Sequence, residues 1–212
     1  MNDHGQQPSR AKNHDQELKA VSDSLVQQAL SLGAHDAAVL QPDQVQVEDR
    51  LAAMCADLKC EGYGQSMSCP PCVSGPDGIR ARLKQARLVL AFSFEVPKKI
   101  LHSSQRWELF GLLHETAASL ERFARDAGFA NSFGLAGGSC KTIFCARHYQ
   151  CRVVFEGGPC RNPDSARPSM SGFGINVSDL CHKLGWPMES STSDASSSHV
   201  PTALLVGMVV VG

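Results

Sequence analysis

The chain has 212 residues, of which 42% are hydrophobic, so it is long enough for one domain of ordinary size with a substantial core. Its formal net charge of -1 offers no basic surface to nucleic-acid phosphates, so DNA and RNA are not expected partners. Residues 1–17 lack the apolar run of a secretory signal, and the apolar segment 200–212 is shorter than the roughly 20 residues that a membrane-spanning helix needs. We therefore expect a cytoplasmic protein without a membrane partner, in which segment 200–212 is a buried strand.

The predicted elements begin after a polar leader. Residues 1–16 are polar and aperiodic, so we predict a disordered N-terminal tail and a single domain over residues 17–212. Apolar residues then recur at three- and four-residue steps, which predicts a helix over residues 18–32 that ends at Gly33. A short strand is predicted at residues 37–40, and residues 47–54 are compatible with either a strand or a helix.

The rest of the chain alternates between helical and strand patterns. The predicted helices are residues 79–85, 107–127 and 177–184, and the predicted strands are residues 88–96, 131–136 and 204–211. Long irregular connections separate several of these elements. The pattern predicts an α/β (α+β) fold, namely a compact single domain with a small mixed sheet covered by helices and with long cysteine-rich metal-binding loops.

Nine cysteines need an explanation, because thiols of a cytoplasmic protein stay reduced and a disulfide framework would not persist there. Scattered cysteines would act as small buried hydrophobic residues. Eight of the nine, however, fall into two groups, and only Cys181 stands alone, as an expected core residue. The first group is Cys55, Cys60, Cys69 and Cys72, and the second group is Cys140, Cys145, Cys151 and Cys160.

The two groups share their spacing, since each contains a pair of cysteines separated by four residues and a pair separated by eight. Glycine or proline stands beside cysteines in both groups, where it lets the backbone turn sharply and present N–H groups to sulfur. All eight cysteines are therefore predicted metal ligands. The spacing allows two separate sites or one site built from both groups.

An iron–sulfur cluster is favoured over zinc as the expected cofactor. Structural zinc sites prefer cysteine pairs two to four residues apart, whereas iron–sulfur clusters accept wider gaps. We expect a [4Fe–4S] cluster on Cys140, Cys145, Cys151 and Cys160, with zinc as the alternative. His148 lies between two of these cysteines and is considered as a replacement ligand, although a loop histidine is more often a neighbour of the site.

Other residues near the cysteines are expected to adjust the site. Their expected roles are to offset cluster charge (Arg147, Arg152, Arg161 and Arg167) and to shield the metal from solvent (Tyr63 and Tyr149).

Three segments also carry a family resemblance. These are Cys60-EGYGQSMS-Cys69-Pro70-Pro71, Gly137-Gly138-Ser139-Cys140 and Pro159-Cys160-RNPDSARPSM, the last being the most specific. With them the chain resembles a bacterial and archaeal family of predicted metal-binding proteins, DUF2284, from the strand at residue 37 to the last strand. The resemblance implies a cysteine-ligated metal, usually interpreted as an iron–sulfur cluster, and no assigned reaction. It covers every cysteine of the two groups except Cys72.

Two functions stay open at this point. The favoured one is a redox or electron-transfer protein that serves a redox protein partner, and the alternative is a structural zinc protein that acts as a partner-binding module. A thiol enzyme that uses Cys69 and Cys72 as a redox pair lacks the expected βαβ context. No Walker loop, Rossmann fingerprint or GxSxG elbow is present, so whether the chain is an enzyme is left open.

Overall fold

The structure is a computed structural model, and it describes residues 8–58, 60–188 and 200–212. The described helices are α1 (Pro8–Ser31), α2 (Asp49–Asp57), α3 (Gly75–Gln85), α4 (Lys98–Leu101), α5 (Arg106–Asp126), α6 (Cys140–Phe144), α7 (Arg152–Glu156) and α8 (Val177–Leu184). The described strands are β1 (Asp36–Leu40), β2 (Leu88–Pro97), β3 (Phe133–Leu135) and β4 (Thr202–Val211). Two 3₁₀ turns, Pro42–Gln44 and Met170–Phe173, complete these elements.

The four strands form one sheet in the order β1-β2-β4-β3. The central strands β2 and β4 pair along their whole length, with Leu88 opposite Val211 and Pro97 opposite Thr202. Successive side chains of a strand point to opposite faces, so an apolar strand fills two cores. Leu88 and Leu90 belong to the core between the sheet and helices α1 and α5, and Val89 belongs to the core beneath α3 and α8.

The α+β class of the prediction is confirmed, but the expected mixed sheet is wrong. All three strand pairings are antiparallel, including the pairing of β3 with β4. The direction of a strand depends on which distant partner it meets, and the apolar pattern within one strand does not encode that partner. Segment 200–212, in contrast, supplies the central strand β4, as expected for a buried strand.

Most predicted elements lie where the patterns put them. Helix α8 matches the prediction, and the stretch 47–54, left open between strand and helix, contributes residues 49–54 to α2, whereas Val47 forms an isolated β-bridge with Ile175. Helix α1 begins at Pro8, so residues 8–16, which were assigned to the tail, are helical. Proline is compatible with the first turn of a helix, and the residues that follow carry no apolar pattern from which a start could be read. Residues 1–7 lie outside the described ranges.

Across the described residues, no helix combines the length and the hydropathy that crossing a bilayer would require.

Candidate metal centre

The four cysteines of the second group line one small pocket. Cys140 is the first residue of α6, Cys145 follows its last turn, Cys151 precedes α7, and Cys160 lies in the loop after α7. The pocket has a volume of about 10 Å³, close to the space of a single water molecule. The fold therefore directs all four predicted ligands of this group to one place.

Polar groups of the chain donate hydrogen bonds to the sulfur atoms of this group. The backbone N–H of Asn162 donates to Cys160 Sγ at 3.3 Å, and its side-chain amide Nδ2 donates to Cys145 Sγ at 3.2 Å. Donors of this kind orient thiolate ligands and stabilise their charge. Sequence reasoning did not single out Asn162, and its one available signal was its position two residues after Cys160.

Basic side chains surround the same pocket. Lys141, Arg152 and Arg161 line it, and Arg161 also forms an ion pair with Glu156 at 3.6 Å. Burial raises the pKa of the Cys145 thiol, and the Arg161 and Lys141 cations act against this rise. The roles expected for Arg152 and Arg161 are thus consistent with their positions.

Other neighbours predicted for this site lie elsewhere. Arg167 forms a buried ion pair with Glu121, with Arg167 Nε 2.9 Å from Glu121 Oε2, so its charge is already balanced. His148 is exposed and does not line the pocket. Tyr149 is 99% exposed, so the prediction that it shields the metal is wrong. The tight turn after Cys145 directs the side chains of His148 and Tyr149 to solvent.

Three cysteines of the first group line a second, larger cavity of about 490 Å³. Cys55 lies on α2, Cys60 follows the end of that helix, and Cys69 is buried. Burial raises the pKa of both Cys55 and Cys69, and the neighbouring Cys60 thiol adds to this effect at Cys55. Cys72 is exposed and does not line the cavity, whereas Tyr63 does.

The loop of the first group packs directly against the start of the second. A Cβ atom on Gly62 would lie 3.0 Å from Cys69 Sγ and 3.0 Å from Ser139 Cβ, so this position admits no side chain without a shift of its neighbours. Ser139 immediately precedes Cys140. Gly62 thus permits the close approach of the two cysteine loops.

Two buried hydroxyls connect the groups. Ser66 Oγ is 3.1 Å from Cys140 Sγ and 2.9 Å from Ser68 Oγ. Ser68 Oγ in turn accepts a hydrogen bond from the Cys140 N–H at 3.0 Å and lies 3.7 Å from Cys69 Sγ. Burial raises the pKa of the Cys140 thiol, and hydrogen bonds from Ser66 and Ser68 oppose this. A short hydrogen-bonded path therefore runs between one thiol of each group.

A buried polar network on α5 holds the loop that carries Cys140. His114 Nδ1 accepts a hydrogen bond from the backbone N–H of Arg167 at 3.0 Å, so its other nitrogen, Nε2, carries the hydrogen and donates to the Gly137 carbonyl at 2.9 Å. Burial lowers the pKa of His114 to about 4, which keeps the ring neutral. The ring thus joins the glycine turn before Cys140 to the segment after Cys160.

Glu121, two helical turns after His114 on α5, extends this network. Its Oε2 accepts a hydrogen bond from the Gly134 N–H at 2.6 Å and pairs with Arg167. A Cβ on Gly134 would lie 2.8 Å from the Ala117 carbonyl oxygen, so only glycine lets β3 approach α5 this closely. Sequence patterns did not indicate His114 or Glu121, because both occupy positions of α5 where an apolar residue is the usual choice.

The donor set fits a thiolate-bound metal. Four thiols share one pocket, donors reach the sulfurs of Cys140, Cys145 and Cys160, cations surround them, and no carboxylate is among the described residues that line either cavity. No group of three or more His, Cys, Asp or Glu side chains in the described part of the chain is arranged to hold a metal ion. A bound metal would therefore draw the sulfurs of the pocket closer to a common centre.

Comparison with known proteins agrees with this chemistry. The family described as "Predicted metal-binding protein (DUF2284)" matches residues 38–210, which include both cysteine groups. No curated protein and no solved structure shows a significant match to the chain. With most of its length matched, the chain belongs to the DUF2284 family of predicted metal-binding proteins.

Proposed function

We propose that the chain holds a [4Fe–4S] cluster on Cys140, Cys145, Cys151 and Cys160 and acts in electron transfer. The observation that carries this proposal is the convergence of all four side chains on one pocket. Four thiolates are the usual ligand set of such a cluster, which supplies one-electron transfer when bound.

The surroundings of the pocket support a cluster. A four-thiolate cluster carries net negative charge, and Lys141, Arg152 and Arg161 provide cations around the pocket. Asn162 contributes two donors to sulfur from one residue. The role of these residues is to orient the sulfur ligands and to balance their charge.

The proposal extends to the first group and to the partner. A second centre on Cys55, Cys60 and Cys69 would lie next to the first, because Ser66 and Ser68 connect the two groups. The exposed ring of Tyr149, close in sequence to Cys151, suits contact with a redox protein partner. Reduced thiols require a reducing compartment, so the proposal includes a cytoplasmic location.

A structural zinc site is the alternative, and one observation favours it. The pocket volume of about 10 Å³ suits a single ion better than a cluster, which would push the thiols apart. In that case the metal would fold the loops, and a partner-binding surface would carry the function.

Anoxic purification followed by metal and sulfide analysis tests these alternatives. The cluster proposal expects a brown protein with broad absorbance near roughly 400 nm and about four iron and four sulfide per occupied centre. It also expects an electron paramagnetic resonance signal after one-electron reduction. A colourless protein with stoichiometric zinc and no sulfide would overturn the cluster proposal in favour of the zinc site.

A further inference from the structure

Helix α2 carries an apolar stripe that the rest of the described fold buries only in part. Leu51, Met54, Cys55 and Leu58, just beyond its end, recur at the three- and four-residue steps of one helix face. A stripe of this kind normally packs into a core. Here α2 has no buried residue, and Met54 and Leu58 are 45% and 70% exposed. The stripe instead faces the cavity of the first cysteine group.

The cavity has the size and lining of a small-molecule site. Its volume of about 490 Å³ falls within the roughly 300–1,000 Å³ of ligand pockets. Pro70, Ile175 and Val177 add further apolar surface, and hydroxyl groups such as that of Ser171 add polar positions. No Asp, Glu, Lys, Arg or His is among the described residues that line it.

We propose that this cavity binds an uncharged, largely apolar organic molecule, which lies against the thiols of Cys55, Cys60 and Cys69. A charged ligand would lose its hydration without meeting an opposite charge from the described lining residues, whereas an apolar one would cover the α2 stripe. Ser139, Ser169 and Ser171 can each hydrogen-bond to a polar group of the ligand. A metal on Cys55, Cys60 and Cys69 would occupy the thiol end of this cavity, so the position of the ligand beside a metal rests on the proposed function, whereas the apolar surface of the α2 stripe does not.

A neutral fluorescent probe, N-phenyl-1-naphthylamine, tests the proposal on the full-length protein. This probe becomes bright in apolar surroundings, so titration should give saturable fluorescence with about one probe per chain. Met54→Trp fills the cavity, and Leu58→Glu places a charge in it. Each change is expected to weaken binding at least about tenfold, since the indole ring takes up space that the probe needs and the carboxylate adds a desolvation cost.

Leu30→Trp is the matched control. Leu30 is 40% exposed on α1 and does not line the cavity, so this variant should bind the probe like the wild type. Circular dichroism would establish that each variant is folded. Absence of saturable fluorescence in the wild type, or wild-type binding by both folded cavity variants, would overturn the proposal. The metal content of the same samples is measured as well. Since protein without metal should still bind the probe, failure of the metal proposal can be distinguished from failure of the ligand proposal.

Discussion

Ser66 and Cys140 lie 74 residues apart in the chain, yet Ser66 Oγ is 3.1 Å from Cys140 Sγ. Ser66 is fully buried and Cys140 nearly so, and Ser66 also contacts Ser68, which receives the Cys140 N–H. The sulfur of Cys140 therefore depends on a hydroxyl supplied by the other cysteine loop. A metal on Cys140 would therefore respond to the conformation of the first group.

Replacing Ser66 with alanine should lower the reduction potential of the proposed cluster. A hydrogen bond to a ligand sulfur stabilises the more negative reduced state, so its loss disfavours reduction. The net value of such a bond corresponds to a fall of about 20–60 mV for one electron. A redox titration followed by absorbance measures this shift. Ser171→Ala, which changes an exposed hydroxyl without a contact to Cys140, is the control, and equal potentials in the two variants would contradict the assignment.

Replacing Cys145 or Cys151 with serine should remove the metal of the second group. Each thiol lines the shared pocket, and an oxygen ligand replaces sulfur poorly in a thiolate site. Metal and sulfide analysis of anoxic protein measures the loss. Cys181→Ala is the matched control, because Cys181 is fully buried in the core beneath α8 and does not line the pocket. Full metal content in Cys145→Ser would show that the ligand set is misassigned.

The number of centres can be counted with Cys60 and Cys72. If each group holds its own metal, Cys60→Ser protein should keep roughly half of its metal, since loss of this ligand empties only the centre of the first group. Cys72→Ser should keep all of it, because Cys72 does not line the cavity shared by Cys55, Cys60 and Cys69. Metal analysis of the two variants side by side measures how much metal each retains. Complete loss in Cys60→Ser would indicate one joint centre instead of two.

His114 should make the protein less stable as the pH falls from 6.5 to about 4. The buried ring has a lowered pKa, so in this window the unfolded chain binds a proton that the folded chain does not. The full effect of the shift is up to about 3 kcal/mol at the acidic end. Urea unfolding across this pH range measures it. His114→Gln should flatten the difference between neutral and acidic pH, and the exposed His182→Gln should not.

Replacing Glu121 with glutamine should destabilise the fold by about 3–5 kcal/mol. The change leaves the buried Arg167 guanidinium without its carboxylate partner and weakens the bond to the Gly134 N–H. Denaturant unfolding at neutral pH measures this loss. Lys183→Gln removes a more exposed ion pair with Asp179 and should cost less than about 1 kcal/mol. A similar loss in the free energy of unfolding for the two variants would show that the buried Glu121–Arg167 pair contributes no more stability than a more exposed ion pair.

Local patterns were sufficient for most of the fold but not for its long-range contacts. Apolar periodicity located α5 and α8, and the lone Cys181 was correctly expected in the core. The predicted mixed sheet was wrong, since all three strand pairings are antiparallel, and their direction depends on segments that are distant in sequence. The interpretation of residues 47–54 stayed open, because five apolar residues over so short a stretch fit more than one period.

The cysteine ligands of the candidate site could be predicted from the sequence, but the polar residues around them could not. Clustering identified the second group, and the structure directs all four of its cysteines to one pocket. Clustering alone could not separate Cys72 from Cys55, Cys60 and Cys69, because whether Cys72 lines the cavity depends on the turn that follows Cys69. The hydroxyl pair of Ser66 and Ser68 and the network of His114 and Glu121 carry no spacing signal. Their partners are separated from them by up to 74 residues.

The two hydrophobic clusters on either side of the sheet contain none of the eight grouped cysteines. The packing of the helices on the sheet therefore needs no metal ligand, whereas the two cysteine loops lie outside it. Removal of a proposed metal is then expected to rearrange the loops and to leave the sheet and its helices folded, so that the metal-free protein can take up metal again.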